Sequence, residues 1–201
     1  MKKFKQITSL LLAFVLAFAF VSCGDNAVEE AEKTVHNMFT ALKALNLEAL
    51  NNFVEDSEDI TDTDDALLTG NTEALLKAMF GGVEYKIISS EKVDEDTVNV
   101  KTSITAIDMK PVFQDFFASA MQLAFTSAVS DMSEDELTIK MEEMLLEKIT
   151  APDLDKITTE VILEVSKEDG VWKVDADDAF VNAIMGGLEE AIEEVQASFG
   201  G

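Results

Sequence analysis

The sequence predicts an α+β domain in which a curved antiparallel sheet of about four strands packs on N-terminal helices. Three observations carry this prediction. Apolar residues recur at helical spacing from Val28 to Leu45, the period changes to two after Gly81-Gly82, and strand patterning returns after a helical pair inserted at about 111–150. A C-terminal helix at about 177–199 completes the outline.

The chain begins MKKFKQITSLLLAFVLAFAFVSC, with Lys2, Lys3 and Lys5 followed by an unbroken apolar run from Leu10 to Val21. That run is shorter than the roughly 20 residues of a membrane-spanning helix and suits the apolar centre of an export signal, roughly 7–15 residues long. Val21-Ser22-Cys23-Gly24 resembles the lipobox of bacterial lipoproteins, a family whose cysteine receives diacylglycerol and becomes the new N-terminus. Phe20 departs from the leucine usual in that pattern, and Ala17-Phe18-Ala19 offers ordinary signal peptidase a small-x-small site. The resemblance implies a lipoprotein signal peptide over 1–22, lipid attachment at Cys23, a short tether over 23–26 and a single domain over 27–201. Stable anchoring takes more than one acyl chain, at about 0.8 kcal/mol per buried methylene, and a diacylated, palmitate-type cysteine supplies it. Gly24 rather than aspartate after Cys23 argues, by family analogy, against inner-membrane retention in a diderm host. The expected location is the outer face of the cytoplasmic membrane, or the outer membrane in a diderm. Cys23 is the only cysteine, so no internal disulfide or cysteine-based zinc site can form and stability must come from a packed core.

The first mature helix is expected from Ala27 to Leu45, with Ala31, Val35, Met38, Phe39 and Leu42 on one face. Asn46 interrupts it, and LEALNNFVED supplies a short second helix. After the acidic stretch DSEDITDTDD, ALLTGNTEALLKAMFGG reads as one helix or as two broken at Gly70. VEYKIISS is a strand, EKVDED a turn, and TVNVKTSITAI the clearest strand, with Val98, Val100, Thr102, Ile104 and Ala106 sharing a face. The inserted pair is PVFQDFFASAMQLAFTSAVS, with a broad apolar face through Phe125, and a second helix opened by a Ser133/Glu136 capping box. KITTEVILEVS resumes the strands, and Asp169-Gly170 predicts a tight hairpin into VWKVD. The last segment places Phe180, Ile184, Leu188, Ile192, Val195 and Phe199 along one helix.

Two stretches carry a fold resemblance. ALKALNLEAL resembles the first-helix junction of NTF2-like (cystatin-like α+β) domains, and GVWKVD resembles the tryptophan-bearing strand that closes them. With the lipobox, the chain resembles NTF2-like bacterial lipoproteins of unknown function. The resemblance implies a cone-shaped sheet, from which the helical insertion and the long C-terminal helix depart.

Forty acidic residues face 15 lysines and no arginine, a net charge of −25 that becomes −28 once the leader removes three lysines. Such a surface repels nucleic acid, so binding through phosphate contacts is not expected.

NTF2-like enzymes usually set an acid or histidine on the concave sheet face. Here the expected inner-face residues are apolar, while Glu84, Lys86, Lys101, Glu160 and Glu164 fall on the other face. His36, the only histidine, sits beside the apolar stripe of the first helix, as a boundary residue or as a general base. The run Asp56–Asp65 lacks the EF-hand spacing, since Ala66 and Leu67 stand where a ligand and glycine belong, so a solvated loop is read there and no metal site. The Phe-rich stretch is either core or the wall of an apolar pocket, with Tyr85, Thr102, Phe113, Phe117 and Trp172 as candidate lining residues. Trp172 has the second option of covering the outer sheet face.

The expected function is that of a membrane-anchored envelope lipoprotein with a non-catalytic, cofactor-free domain binding a small apolar ligand or partner protein. Two alternatives stand beside it: an acidic module for a cationic envelope partner, and a SnoaL-like isomerase or hydrolase using His36.

Overall fold

The computed structural model describes residues 26–55, 71–127 and 132–199. The leader with Cys23, the acidic run from Asp56 and the break expected at Gly70 lie outside them.

Helix α1 (Asn26–Lys43) buries Ala31, Val35, Met38, Phe39 and Leu42, the predicted face. It stops two residues before the expected end because Leu45 turns left-handed (φ 50°). The Leu45 and Asn46 amides then donate to the carbonyls of Leu42 and Ala41, a Schellman closure built on a leucine. Asn46 caps α2 (Leu47–Leu50), its side chain accepting from the Ala49 amide at 3.0 Å. Helix α3 (Asn71–Gly81) follows.

The sheet is antiparallel in the order β1 (Glu84–Lys92), β2 (Thr97–Ile107), β3 (Lys156–Glu168), β4 (Val171–Val174). Strand β2 alternates buried and half-buried residues along its length, with Val98, Val100, Thr102, Ile104 and Ala106 inward as the period-two pattern predicts. Strand β1 departs from simple alternation. A register shift at Ile88 puts Tyr85 and Ile87 opposite Ile104 and Thr102, then Ser90 opposite Val100. The bulge ejects Ile88 to 44% exposure and turns Ser90 inward, where its hydroxyl donates to Glu32 of α1 at 2.6 Å. Beyond β4, the chain at Phe53–Glu55 pairs with Val174, covering that edge. The Asp169-Gly170 hairpin is as predicted, with φ of 50° and 85°.

Between β2 and β3 rise α4 (Met109–Ser127) and α5 (Glu134–Ile149), the latter opened by the expected Ser133/Glu136 capping box. The C-terminal segment differs from the single helix expected. It forms α6 (Asp178–Ile184) and α7 (Leu188–Phe199), broken at Gly186-Gly187.

Two cores result. The larger joins α1, α2 and α6 to the inner sheet face through Val35, Met38, Phe39, Val100, Ile104, Leu163, Val165, Val174 and Phe180. Phe39 stacks on Tyr85 with centroids 4.1 Å apart and meets Phe180 edge-on at 5.9 Å. The smaller centres on Met109, Val112 and Ile149, with α3, α5 and the start of α7 around it. Helix α4 is buried only in its first part, and Phe125 is 71% exposed, so its expected apolar face does not pack along its whole length. No described helix is long and apolar enough to cross a membrane.

Candidate functional site

Among the described residues, the elbow between α6 and α7 forms a concave feature. Asp177 caps α6, its carboxylate accepting from the Phe180 amide at 2.8 Å. Phe180, Ala183 and Ile184 go into the main core, Met185 packs half-buried at its edge, and Val181 and Asn182 lie on the other side. The helix then ends in a Schellman motif: the Gly186 amide donates to the Ala183 carbonyl at 3.3 Å and the Gly187 amide to Asn182 at 3.1 Å. Gly186 (φ 61°) lies against the end of β2, where an added Cβ would fall 1.8 Å from the Ile107 carbonyl oxygen. Its own carbonyl accepts from the Met109 amide at 2.9 Å, locking the elbow to the junction of β2 and α4. Only glycine fits here.

The fixed elbow opens a pocket of about 310 Å³ lined by Val181, Asn182, Met185, Leu188, Glu189, Ile192 and Glu193. Four apolar side chains form most of the lining, and Glu189 and Glu193 stand one turn apart on α7. Asn182 donates from Nδ2 to Glu190 at 2.8 Å, while its Oδ1 is buried without a partner. Beside the pocket, Glu194 accepts from Lys110 at 2.6 Å, which raises the lysine's pKa through that hydrogen bond and the paired charge.

None of the sequence-predicted lining residues borders this pocket. Thr102 is fully buried mid-strand, its hydroxyl donating to the Val100 carbonyl at 3.3 Å. Trp172 is buried on the core side with Val174, not on the outer sheet face, and the Lys167 ammonium lies 5.8 Å from its ring centre. Tyr85 packs half-buried on Phe39, and burial raises its hydroxyl pKa. Tyr85, Thr102 and Trp172 thus share the inner side of one sheet, whereas Phe113 and Phe117 sit half-buried on α4, in the separate helical layer. The elbow had one legible sign in the sequence, a Gly-Gly pair inside a helical pattern.

His36 is exposed on α1 and its Nδ1 hydrogen-bonds the Tyr85 hydroxyl. With Glu32 holding Ser90 one turn earlier, this pair fastens α1 along β1. Among the described residues, no group of three or more His, Cys, Asp or Glu side chains is placed to hold a metal ion.

No protein-family model matches the chain, and no curated protein matches it. A solved structure from Bacillus subtilis, described as a "putative lipoprotein (ycdA)", is similar to it with a TM-score of 0.53 at 12% identity. The similarity covers 81% of this chain but 56% of that one, and at this identity it speaks to the fold alone.

Proposed function

We propose that the protein is an exported envelope lipoprotein, held to the membrane by lipid on Cys23, whose domain binds a small apolar ligand or a partner protein without catalysing a reaction. The sequence Val21-Ser22-Cys23-Gly24 after a basic, apolar leader carries the anchoring part, and likeness to a fold found in a protein described as a lipoprotein supports it. The rigid, mostly apolar elbow pocket supports the binding part. We read the domain as NTF2-like on the helix junction at Asn46 and the Trp172 strand.

The acidic surface favours the second reading, a module for a cationic partner, whose binding would weaken steeply with salt. The isomerase or hydrolase reading ranks last, because His36 is exposed and its Nδ1 is engaged by Tyr85.

Labelled palmitate fed to cells expressing the full chain tests the anchor. The expected result is label in the wild-type protein and none in Cys23→Ser, which also leaves the membrane fraction. Label retained in Cys23→Ser would overturn the assignment.

A further inference from the structure

We infer that α4 carries a self-association seam, along which two copies of this chain anchored in one bilayer pack in parallel through Ala118, Met121 and Phe125. The inference rests on the anchoring reading above and adds a partner to it. A helix that is apolar all round belongs in an interior, and α4 is apolar on two opposite faces. One face is used within the chain, with Val112 and Ala120 buried and Phe116 half-buried. On the other face Ala118 is exposed, Met121 is 38% exposed and Phe125 is 71% exposed.

Three observations point to a second copy as the cover. The first is spacing. Gln114, Ala118, Met121 and Phe125 stand four, three and four residues apart, the a/d spacing by which two parallel helices close a seam. Such a seam is self-complementary, each residue meeting its own counterpart. The second is charge. The fifteen residues from Phe116 to Ser130 form the longest uncharged run after Cys23, in a chain with 40 acidic residues. Copies this acidic repel one another, so they can meet closely only where carboxylates are missing. The charges that border the strip are paired within each chain, Lys110 with Glu194 and Asp115 with Lys148. The third is polarity. Helix α1 starts three residues after Cys23 and ends at Lys43, near Glu84, which pairs with Thr105 at the far end of β2. Helix α4 leaves the sheet from that same end, at Met109. Anchor and α4 root thus lie at opposite ends of the sheet. Copies held in one bilayer therefore bring their α4 helices together in parallel, clear of the lipid.

From Gln114 to Phe125 the strip is about 17 Å long and about 10 Å wide, well short of the about 800 Å² per partner of a stable interface. In dilute solution it stays open. Confinement to one bilayer raises the effective concentration and closes it.

The test is thiol cross-linking of the full chain in host membranes. With Cys23 acylated, an introduced cysteine is the only free thiol. Single variants Ala118→Cys, Met121→Cys and Phe125→Cys probe the seam; Thr126→Cys and Ile139→Cys, also at exposed positions, are the references. Mild oxidation should give disulfide dimers at the three seam positions, about fivefold or more above the references. Adding Phe125→Glu to Ala118→Cys sets like charges face to face and should cut its yield several-fold, whereas adding Thr126→Glu should not. Labelled palmitate on the same samples reports the anchor. Label present with equal or absent cross-linking at all five positions, or a yield that Phe125→Glu leaves unchanged, would overturn the seam and leave the anchor standing. Absence of label would overturn both.

Discussion

Leu45 and Gly186 hold the same place in two helix-ending motifs and bear opposite loads. Both are left-handed, at φ 50° and 61°, but only Gly186 is pressed against another strand. A left-handed side chain costs about 1–2 kcal/mol. Leu45→Gly should therefore be neutral or stabilise the fold by up to about 1 kcal/mol, the relief being partly offset by a freer unfolded chain. Gly186→Ala adds a steric conflict with the Ile107 carbonyl and should destabilise by on the order of 3 kcal/mol, with loss of the pocket. Urea unfolding of the two variants checks the pair, and a harmless Gly186→Ala would contradict the locked elbow. Neither end was fully legible in the sequence. The apolar stripe runs through Leu45 and across Gly186-Gly187 without a break, so periodicity extends a helix over residues that are in fact its terminating turn. Of the pocket lining, Leu188 and Ile192 were read as stripe residues, and nothing local says that the stripe divides between a core and a cavity.

At the scale of elements, legibility follows how much of the pattern is local. Strand β2 pairs on both sides and its alternation was read residue by residue, as was the Ser133/Glu136 box of α5. The bulge in β1 has no local signature, because Ile88 is as good a strand residue as Ile87 and only pairing with β2 displaces it. The strands are also tied across β2. Lys156 at the start of β3 donates to Glu84 at the start of β1 at 2.6 Å, and this hydrogen bond, with the paired charge, lowers the Glu84 pKa. A depressed carboxylate adds stability above its unfolded pKa that is lost as pH falls through the lowered folded value. Carboxyl NMR titration should find Glu84 below the ordinary glutamate range in the wild type and back within it in Lys156→Met. An unchanged value in Lys156→Met would show that the clasp does not form in solution.

The whole molecule has a deep layer and a shallow one. The inner sheet face and α1 contribute side chains with no exposed surface, whereas α3 has no buried residue and α4 none among those described after Ala120. Opening free energy follows buried contact, so amides of β2 and β3 should exchange only on global unfolding, and those of α4 beyond Ala120 orders of magnitude faster. Uniform protection across both layers would contradict the division. Orientation follows from the same architecture. Glu32 lies by the later part of β1 and Lys43 near Glu84, so α1 starts at the end of the sheet that carries the hairpin tips. Asn26 is three residues from Cys23, a reach of at most about 11 Å. Anchoring at Cys23 would then hold the hairpin tips at the bilayer and present the elbow, fixed to the far end of β2, away from it.

Native mass spectrometry of the full chain, expressed in its host and extracted from the envelope, bears most directly on a lipid-held binding domain. The account predicts a mature species beginning at diacylated Cys23 and carrying one small organic adduct, with the adduct absent from Ile192→Trp. A chain cleaved after Ala19 with a free thiol, or a lipidated chain that is always bare, would contradict it.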